Sequence, residues 1–340
     1  MSQINYRSLQ TARLELKQGI TAIVGQNAAG KSNVLDAIYL GYTGEILARR
    51  IEDVIKHGET EAYVALEIEN DDGLRKVEIG LSAGHKSIKI DGQNLRSIEL
   101  GKEFAAVLIR PEDAEIVHGS PSKRRAFLDS ILSRLSLRYA VLLKEYNRVV
   151  EQRNAALKNL ADLSLEIWTE KFLSLGTEIM SLRQRAITKI DEIASEAYKE
   201  VAKDAKTLSL VLRSGEKPLR ESHLESLEEE RYRGTTVVGP HRDDILLNLD
   251  GYSVQTFGSR GEARTTALTL KVAEYRLLKE KHKMAPLLLL DDFSAEFDLN
   301  RRSYILNLLA DTPQAIVTGT ELAPQYDVAY QIAGGVLGGL

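Results

Sequence analysis

The sequence predicts an α/β protein whose sheet-based core is interrupted by an inserted lobe of helices. Residues 25–32 (GQNAAGKS) fit the pattern GxxxxGK[ST], in which a glycine-containing loop joins a strand to a helix. Residues 287–292 (LLLLDD) form an apolar run that ends in two carboxylates. A loop and a strand of these two kinds form the two halves of one phosphate-binding site. They must meet in the folded chain, although positions 33–286 separate them. We therefore expect one core with a large insertion.

The composition is that of a globular protein with more than one domain. The chain has 340 residues, of which 43% are hydrophobic and 28% charged, and its net charge of −4 excludes a uniformly basic nucleic-acid binder. No apolar run reaches the roughly 18 residues that span a bilayer, and the N-terminus lacks a signal-peptide core. The absence of cysteine excludes disulfides and thiolate metal sites. We expect a cytoplasmic protein with no membrane association.

Hydrophobic periodicity gives the order of the core elements. Residues 20–24 are a short apolar strand leading into the glycine-containing loop, and apolar positions after residue 32 repeat at helical spacing. Residues 61–110 alternate between apolar and polar positions and predict a β-rich stretch with turns at 70–73 and 91–92. Towards the end of the chain we predict further core segments. They are strands at 235–239, 245–249, 287–290 and 314–318, and helices at 261–281 and 299–310.

The inserted lobe is predicted from two long helical patterns. One begins at Pro121 and continues to about residue 160, and the other has an apolar stripe from Trp168 to Ala197. These patterns predict an antiparallel helix pair. We assign residues 1–115 and 236–340 to an ATPase-type core and residues 116–235 to the helical lobe.

The loop at 25–32 has the chemistry of a nucleotide-phosphate site. Its backbone N–H groups and the following helix N-terminus attract phosphate oxygens. Lys31 would reach the β- and γ-phosphates of ATP as a catalytic group, and Ser32 would bind Mg²⁺. We expect Ala28 to keep a negative φ, since it lacks the freedom of glycine. The predicted nucleotide-binding residues of the loop are Gly25, Gln26, Asn27, Ala28, Ala29, Gly30, Lys31 and Ser32.

The carboxylates after the 287–290 strand complete this site. Unpaired buried charge is costly, so two acids at the end of a core strand indicate function. Asp291 is predicted to hold Mg²⁺, and Asp292 is predicted to orient or activate the attacking water.

Two weaker motifs precede and follow these acids. Ser259 and Gly261 lie in a Ser-x-Gly turn at a predicted helix start, and residues 294–298 (SAEFD) follow the acids. His241, in residues 239–244 (GPHRDD), is a candidate catalytic imidazole, but a turn held by Arg–Asp pairing is the favoured interpretation.

The order of these motifs resembles that of an ATP-binding-cassette (ABC) head, and their sequences resemble the RecF family of recombination-mediator ATPases, related to the heads of structural-maintenance-of-chromosomes (SMC) proteins. The resemblance covers most of the chain. The stretches that carry the resemblance are 25–40, 110–129 (RPEDAEIVHGSPSKRRAFLD), 146–158 (YNRVVEQRNAALK), 237–247 (VVGPHRDDILL), 257–274 and 287–302.

The resemblance implies a function and a partly shared active site. It implies an ATP-dependent homodimer on DNA, slow DNA-stimulated ATP hydrolysis, a preference for duplex DNA near single-strand junctions, and cooperation with RecO and RecR in loading RecA at gaps. In cassette heads the Ser-x-Gly turn of one subunit contacts the γ-phosphate bound to the other. The resemblance therefore assigns Ser259 and Gly261 to the partner's nucleotide.

The chain also departs from the family pattern. The family more often has Gly at the position of Ala28, and its turn is nearer Ser-Gln-Gly-Gln than the Ser-Arg-Gly-Glu of residues 259–262. Arg260 adds a cation to this turn, whereas Glu262 removes an amide. Residues 318–320 (TGT) occupy the position of the usual switch histidine.

A basic stretch offers candidate DNA contacts. Residues 121–160 contain nine Lys or Arg against three acids, and residues 161–200 contain five against eight. Taken alone, this pattern favours ion pairs between the basic residues of one helix and the acidic residues of its neighbour. The resemblance makes Lys123, Arg124 and Arg125 candidate phosphate contacts in sequence-independent DNA binding.

Two other functions remain open at this point. One is the nucleotide-binding subunit of an ABC membrane transporter, which shares the ATP site but usually has a switch histidine. The other is a scaffold that uses ATP only to dimerise.

Overall fold

The computed structural model describes residues 1–9, 12–70, 73–159, 164–292, 299–322 and 326–339. These form two compact units, one of residues 1–112 with 274–340 and one of residues 113–273. The chain returns from the second unit to the first after residue 273, which is later than the boundary predicted at 236.

The strands within the described ranges, in chain order, are β1 (Ser2–Ile4), β2 (Ala12–Arg13), β3 (Gly19–Val24), β4 (Glu61–Asn70), β5 (Gly73–Ser82), β6 (His85–Ile90), β7 (Gln93–Leu95), β8 (Ala106–Ile109), β9 (Leu208–Arg213), β10 (Asp244–Leu249), β11 (Tyr252–Ser253), β12 (Leu287–Leu290), β13 (Gln314–Gly319), β14 (Val328–Ala333) and β15 (Val336–Gly339). The helices are α1 (Lys31–Thr43), α2 (Ser97–Glu103), α3 (Glu115–His118), α4 (Pro121–Leu135), α5 (Leu137–Lys158), α6 (Leu165–Ala202), α7 (Leu219–Arg233), α8 (Val254–Phe257), α9 (Arg260–His282) and α10 (Leu299–Ala310).

The first unit contains a mixed sheet that brings the two halves of the candidate site together. Its strand order is β15-β14-β3-β13-β12-β8, and all neighbours are parallel except β15 and β14. Because β3 and β12 run in the same direction with β13 between them, the loops that follow them leave the same edge of the sheet. This topology explains how segments far apart in sequence become neighbours.

A second sheet in this unit is antiparallel, with the order β2-β1-β4-β5-β6-β7. It confirms the β-rich prediction for residues 61–110; residues 71 and 72 of the predicted turn lie outside the described residues. Helix α1 packs against strands of both sheets and is buried on most of its surface. Gly41 allows this close packing, since a Cβ there would lie 2.2 Å from Leu66 Cδ1.

The second unit is built from long helices and a small antiparallel sheet of order β11-β10-β9. Helices α5 and α6 are antiparallel, because Arg138 bonds to Glu178 near one end while Arg153 bonds to Thr169 near the other. Helix α6 has 38 residues and is about 57 Å long at 1.5 Å per residue.

Two predicted core strands need correction. Residues 235–239 do not form a strand, because side chains take up their backbone groups: the N–H of Thr236 donates to Asn154 Oδ1 at 2.7 Å and that of Val237 to Glu230 Oε1 at 3.1 Å. Residues 245–249 do form a strand, but β10 pairs with β9 in the second unit and not with the core sheet.

Candidate nucleotide-binding site

The loop after β3 has the strand–loop–helix geometry of a phosphate site. The N–H of Gly25 donates to Gly319 O at 3.3 Å, which attaches the start of the loop to the end of β13. Gly30 has a φ of 107° and stands immediately before α1. A side chain at Gly25 would place its Cβ 2.5 Å from Ile332 O, so close packing and backbone geometry both require these glycines.

Lys31 lies inside the loop and bonds to the loop's own backbone. Its side chain is 8% exposed, and Nζ donates to Gly25 O at 2.9 Å and to Gln26 O at 3.0 Å. Ser32, the next residue, is exposed. The ammonium group therefore lies against the backbone of the loop and the next residue is an exposed serine, an order that is compatible with binding of a nucleotide phosphate.

The prediction for Ala28 is wrong. Its φ is +63°, in the left-handed region, rather than negative. An L-residue in this region pays about 1 kcal/mol relative to ordinary conformations. The loop geometry thus overrides the local preference of alanine, and backbone strain is located at the site.

The two acids follow β12 at the same edge of the sheet. Asp291 is buried, and its Oδ1 accepts a hydrogen bond from Thr318 Oγ1 at 2.5 Å. The N–H of Asp292 donates to the same Thr318 Oγ1 at 3.0 Å. Sequence reasoning placed Thr318 at the switch position but gave it no role, and the structure shows that it bridges both acids.

Asp292 has an unusual environment for an acid. Its φ is +52°, and its Oδ1 is buried without a hydrogen-bond partner among the described residues. A buried carboxylate oxygen without a donor is costly, and functional sites retain such groups. The arrangement fits a carboxylate that acts on a water molecule or ligand.

Sequence reasoning missed Asp36, an acid on α1. It is buried and forms an ion pair with Arg7 Nη2 at 3.0 Å. Burial raises its pKa, the positive charge of Arg7 lowers it, and the negative charge of Asp291 is among the further influences that raise it. An aspartate among the apolar positions of a buried helix was the available signal.

The residues present fit a magnesium ion only together with a nucleotide. No cluster of three or more His, Cys, Asp or Glu residues with metal-binding geometry occurs in the described ranges. A hydroxyl from Ser32 and a carboxylate from Asp291 are hard oxygen ligands, and Mg²⁺ commonly completes its shell with phosphate oxygens and water. Oδ1 of Asp292, which no donor in the described ranges contacts, adds an acceptor for such a water.

The Ser-x-Gly turn belongs to the second unit and forms the start of α9. The N–H of Ser259 donates to Glu262 Oε2 at 2.7 Å, and the N–H of Glu262 donates to Ser259 Oγ at 3.2 Å. This reciprocal pair is a capping box. Ser259 is exposed and Gly261 is half-buried. Residues 293–298, which include the whole SAEFD motif, lie outside the described residues.

The three candidate DNA contacts differ in accessibility. Lys123 is exposed and pairs with Glu115 at 2.8 Å. Arg125 is half-buried and donates to Asp243 O at 2.7 Å. Arg124 is 4% exposed, and its Nε donates to Asp244 Oδ1 at 2.7 Å. Its guanidinium is therefore occupied inside the unit, which argues against Arg124 as a DNA contact.

The other distinctive motifs form an internal network of charges. Arg183 bonds to Asp129 and Asp243, and Arg153 bonds to Glu230 at 2.6 Å. His241 lies among these groups: its Nδ1 is 2.7 Å from Tyr146 Oη, and burial lowers its pKa to about 4. A neutral, enclosed imidazole supports the interpretation of residues 239–244 as a turn held by Arg–Asp pairs.

No helix among the described residues is long and apolar enough to cross a bilayer.

The family model of the RecF/RecN/SMC N-terminal domain matches residues 2–332 of the sequence. The DNA replication and repair proteins RecF of Deinococcus radiodurans and Deinococcus deserti are 49% and 46% identical, over 95% of this chain and 90% of each relative.

Solved structures give the same relationship. The structure of the recombination mediator protein RecF with ATP in the RecFOR pathway has a TM-score of 0.93 and 32% identity, covering all of this chain and 96% of that one. The SMC head domain of Pyrococcus furiosus has a TM-score of 0.56 at 19% identity, covering 99% and 94%, and shows the fold alone. The chain belongs to the RecF family of DNA replication and repair proteins and has the fold of an ABC/SMC-like ATPase head.

Proposed function

We propose that this chain is a weak, DNA-stimulated ATPase that dimerises on ATP and acts as a DNA clamp in recombination mediation. The observation that supports this proposal most directly is a set of hydrogen bonds at the end of β13. There Gly319 bonds to the first residue of the phosphate loop, and Thr318 bonds to both acids that follow β12. One strand end thus connects the two halves of a nucleoside-triphosphatase site.

Each residue at this edge has a specific proposed role. The loop from Gly25 to Ser32 binds the ATP phosphates, and Lys31 exchanges its bonds to loop carbonyls for bonds to phosphate oxygens. Ser32 and Asp291 hold Mg²⁺, which neutralises phosphate charge when bound. Asp292 uses Oδ1, which has no hydrogen-bond partner within the described part of the chain, to orient the attacking water. Thr318 fixes the direction of Asp291.

The proposed dimer contact is the turn at the start of α9. We propose that Ser259 and Gly261 of one copy contact the nucleotide held by a second copy. ATP would then join two copies, and hydrolysis would release them. The exposed position of Ser259 is compatible with this contact.

The relatives supply the biological setting. They are named as DNA replication and repair proteins, and the similar ATP-bound structure is described as part of the RecFOR pathway. We propose that this chain likewise acts in the cytoplasm with RecO and RecR to promote RecA loading at gapped DNA and the SOS response. The transporter alternative has no support among these relatives.

The test measures ATP turnover and self-association with and without linear duplex DNA. The variants are Lys31→Arg and Asp292→Asn. We expect DNA to stimulate wild-type turnover and both variants to lose it, with Asp292→Asn retaining an ATP-bound dimer. Wild-type turnover that ignores DNA, together with no dimer in ATP, would contradict the proposal. A DNA-binding dimer without turnover would instead support the scaffold alternative.

The DNA surface requires a separate test, because Arg124 is enclosed. Lys123→Ala should lower DNA affinity for all sequences alike and reduce the slope of log affinity against log salt by about one. ATP affinity should not change. An unaltered salt slope would remove Lys123 from the DNA surface.

A further inference from the structure

The turn at the start of α9 contains a carboxylate that is paired with a lysine from another segment. Glu262 stands at the third position of the helix, and its Oε1 accepts a hydrogen bond from Lys206 Nζ. The family resemblance predicts an amide at this position. An ion pair therefore occupies a place where a neutral side chain is expected.

Glu262 uses both of its oxygens. Oε2 accepts the N–H of Ser259 at 2.7 Å, while Oε1 faces Lys206. In return, the N–H of Glu262 donates to Ser259 Oγ at 3.2 Å. Because this bond occupies a lone pair of the serine oxygen, the hydroxyl proton is left to donate to another acceptor. Glu262 thus fixes the backbone of Ser259 through its carboxylate and the hydroxyl oxygen of Ser259 through its own backbone N–H.

The segment that presents Lys206 is itself held in place. It connects α6 to β9, and the N–H of Lys206 donates to Asp204 Oδ1 at 3.0 Å. The N–H of Thr207 donates to Asp250 Oδ1 at 2.9 Å, and the N–H of Asp250 returns to Thr207 O at 3.0 Å. Two reciprocal bonds therefore attach the lysine segment to the turn between β10 and β11.

The charges explain why a lysine is needed here. The hydrogen bond from Lys206, followed by that from the backbone N–H of Ser259, lowers the pKa of Glu262 to about 2, so this carboxylate is ionised at any physiological pH. A lone negative charge beside Ser259 would repel a phosphate. The ammonium of Lys206 offsets it and still has N–H donors beyond the one given to Glu262.

We propose that Lys206 is a positioning residue for the phosphate-contacting turn. It holds Glu262 in the capping box and cancels its charge, so that Ser259 can meet the phosphate of a nucleotide bound to a second copy. This inference rests on the proposed function, since it assigns the regulation of the same dimer contact. The pair replaces the neutral amide of the family with a balanced pair of charges.

The test compares Lys206→Met, Glu262→Gln and the double variant by sedimentation velocity with a non-hydrolysable ATP analogue. Lys206→Met should raise the dimer dissociation constant about tenfold. Without Lys206, the charge of Glu262 would repel the phosphate at both turns of the dimer. Glu262→Gln, and the double variant relative to it, should stay within about threefold. The matched control is Lys217→Met, which breaks another exposed Lys–Glu pair of the same unit, with Glu225.

The rescue by Glu262→Gln separates positioning from a structural role, because a folding defect from losing Lys206 would persist in the double variant. An equal defect in both backgrounds, or no defect in Lys206→Met, would overturn this inference alone, provided that the wild type dimerises. A wild type that binds the analogue without dimerising would overturn both this inference and the proposed function.

Discussion

The edge of the parallel sheet and the interior of the helical unit differ in how their charged side chains are satisfied. At the sheet edge, Ala28 and Asp292 have left-handed backbones, and one oxygen of Asp292 has no partner among the described residues. In the helical unit, Arg153 and Arg183 are almost fully buried, yet each makes several hydrogen bonds to acids and hydroxyls. A carboxylate at the sheet edge thus keeps an oxygen that the described residues leave without a donor, whereas the two buried arginines of the helical unit are satisfied.

This contrast changes the meaning of the motifs that carry the family resemblance. Residues 110–129, 146–158 and 237–247 are more distinctive than the phosphate loop, and their charged side chains form most of the internal network. These distinctive motifs thus contribute to the internal packing of the helical unit.

Breaking the internal network should have the largest effect on stability. Arg153→Met leaves Glu230 as a buried carboxylate without its 2.6 Å ion-pair partner. We expect a loss of about 3–5 kcal/mol in the free energy of unfolding. Denaturant titration followed by the fluorescence of Trp168, the single tryptophan, reports on this unit.

The control is Arg220→Met, which removes an exposed pair with Glu170 on the same unit. It should change the free energy of unfolding by less than about 1 kcal/mol. Similar losses for Arg153→Met and Arg220→Met would show that burial of an ion pair does not increase its contribution to the free energy of unfolding.

The enclosed His241 should make the helical unit sensitive to mild acid. Burial lowers its pKa to about 4 in the folded protein, against about 6.5 in the unfolded chain. The unfolded chain therefore binds the proton first, and stability falls as pH drops below about 6.5. Between pH 7.5 and 5.5 we expect a loss of about 1 kcal/mol attributable to this residue.

His241→Asn isolates this contribution, because the other titrating groups, including Asp243 with its raised pKa, remain in the variant. The difference between wild type and variant should change by about 1 kcal/mol over this pH range. Parallel pH profiles would show that His241 is not held neutral.

The strain at the phosphate loop should have a smaller, opposite effect. Ala28→Gly removes the cost of a left-handed alanine but increases the freedom of the unfolded chain. Ala83→Gly, at an exposed turn position outside the left-handed region, has only the second effect. We expect the first variant to be about 1 kcal/mol more stable than the second in thermal unfolding. Equal stability would mean that Ala28 is not strained.

Sequence reasoning was most successful where chemistry is local. The strand, loop and helix around Lys31 follow from residues within one short segment, and the acids after β12 follow from burial and charge. The structure confirms these elements and places both halves at one sheet edge.

Sequence reasoning failed where a partner from a distant segment decides the outcome. Residues 235–239 have strand-forming composition, but Asn154 and Glu230 bind their N–H groups. Arg124 belongs to a basic stretch, yet Asp244, distant in sequence, draws it inside. Thr318 gains its role only because β13 lies beside β12. None of these pairings has a period or spacing that a single sequence displays.

The smallest expected effect on stability is also the sharpest test of the contrast. Asp292→Asn preserves shape and tolerates the left-handed backbone, and it removes charge from a carboxylate whose Oδ1 lacks a partner among the residues that the structure describes. We expect the free energy of unfolding to change by less than about 0.5 kcal/mol, or to increase. Asp291→Asn, by comparison, weakens a 2.5 Å bond from Thr318 and should cost about 1–2 kcal/mol. Chemical denaturation of both variants beside the wild type measures the difference. If Asp292→Asn lost as much stability as Asp291→Asn, Asp292 would belong to the scaffold, and its role toward water would have to be assigned to another group at the same edge.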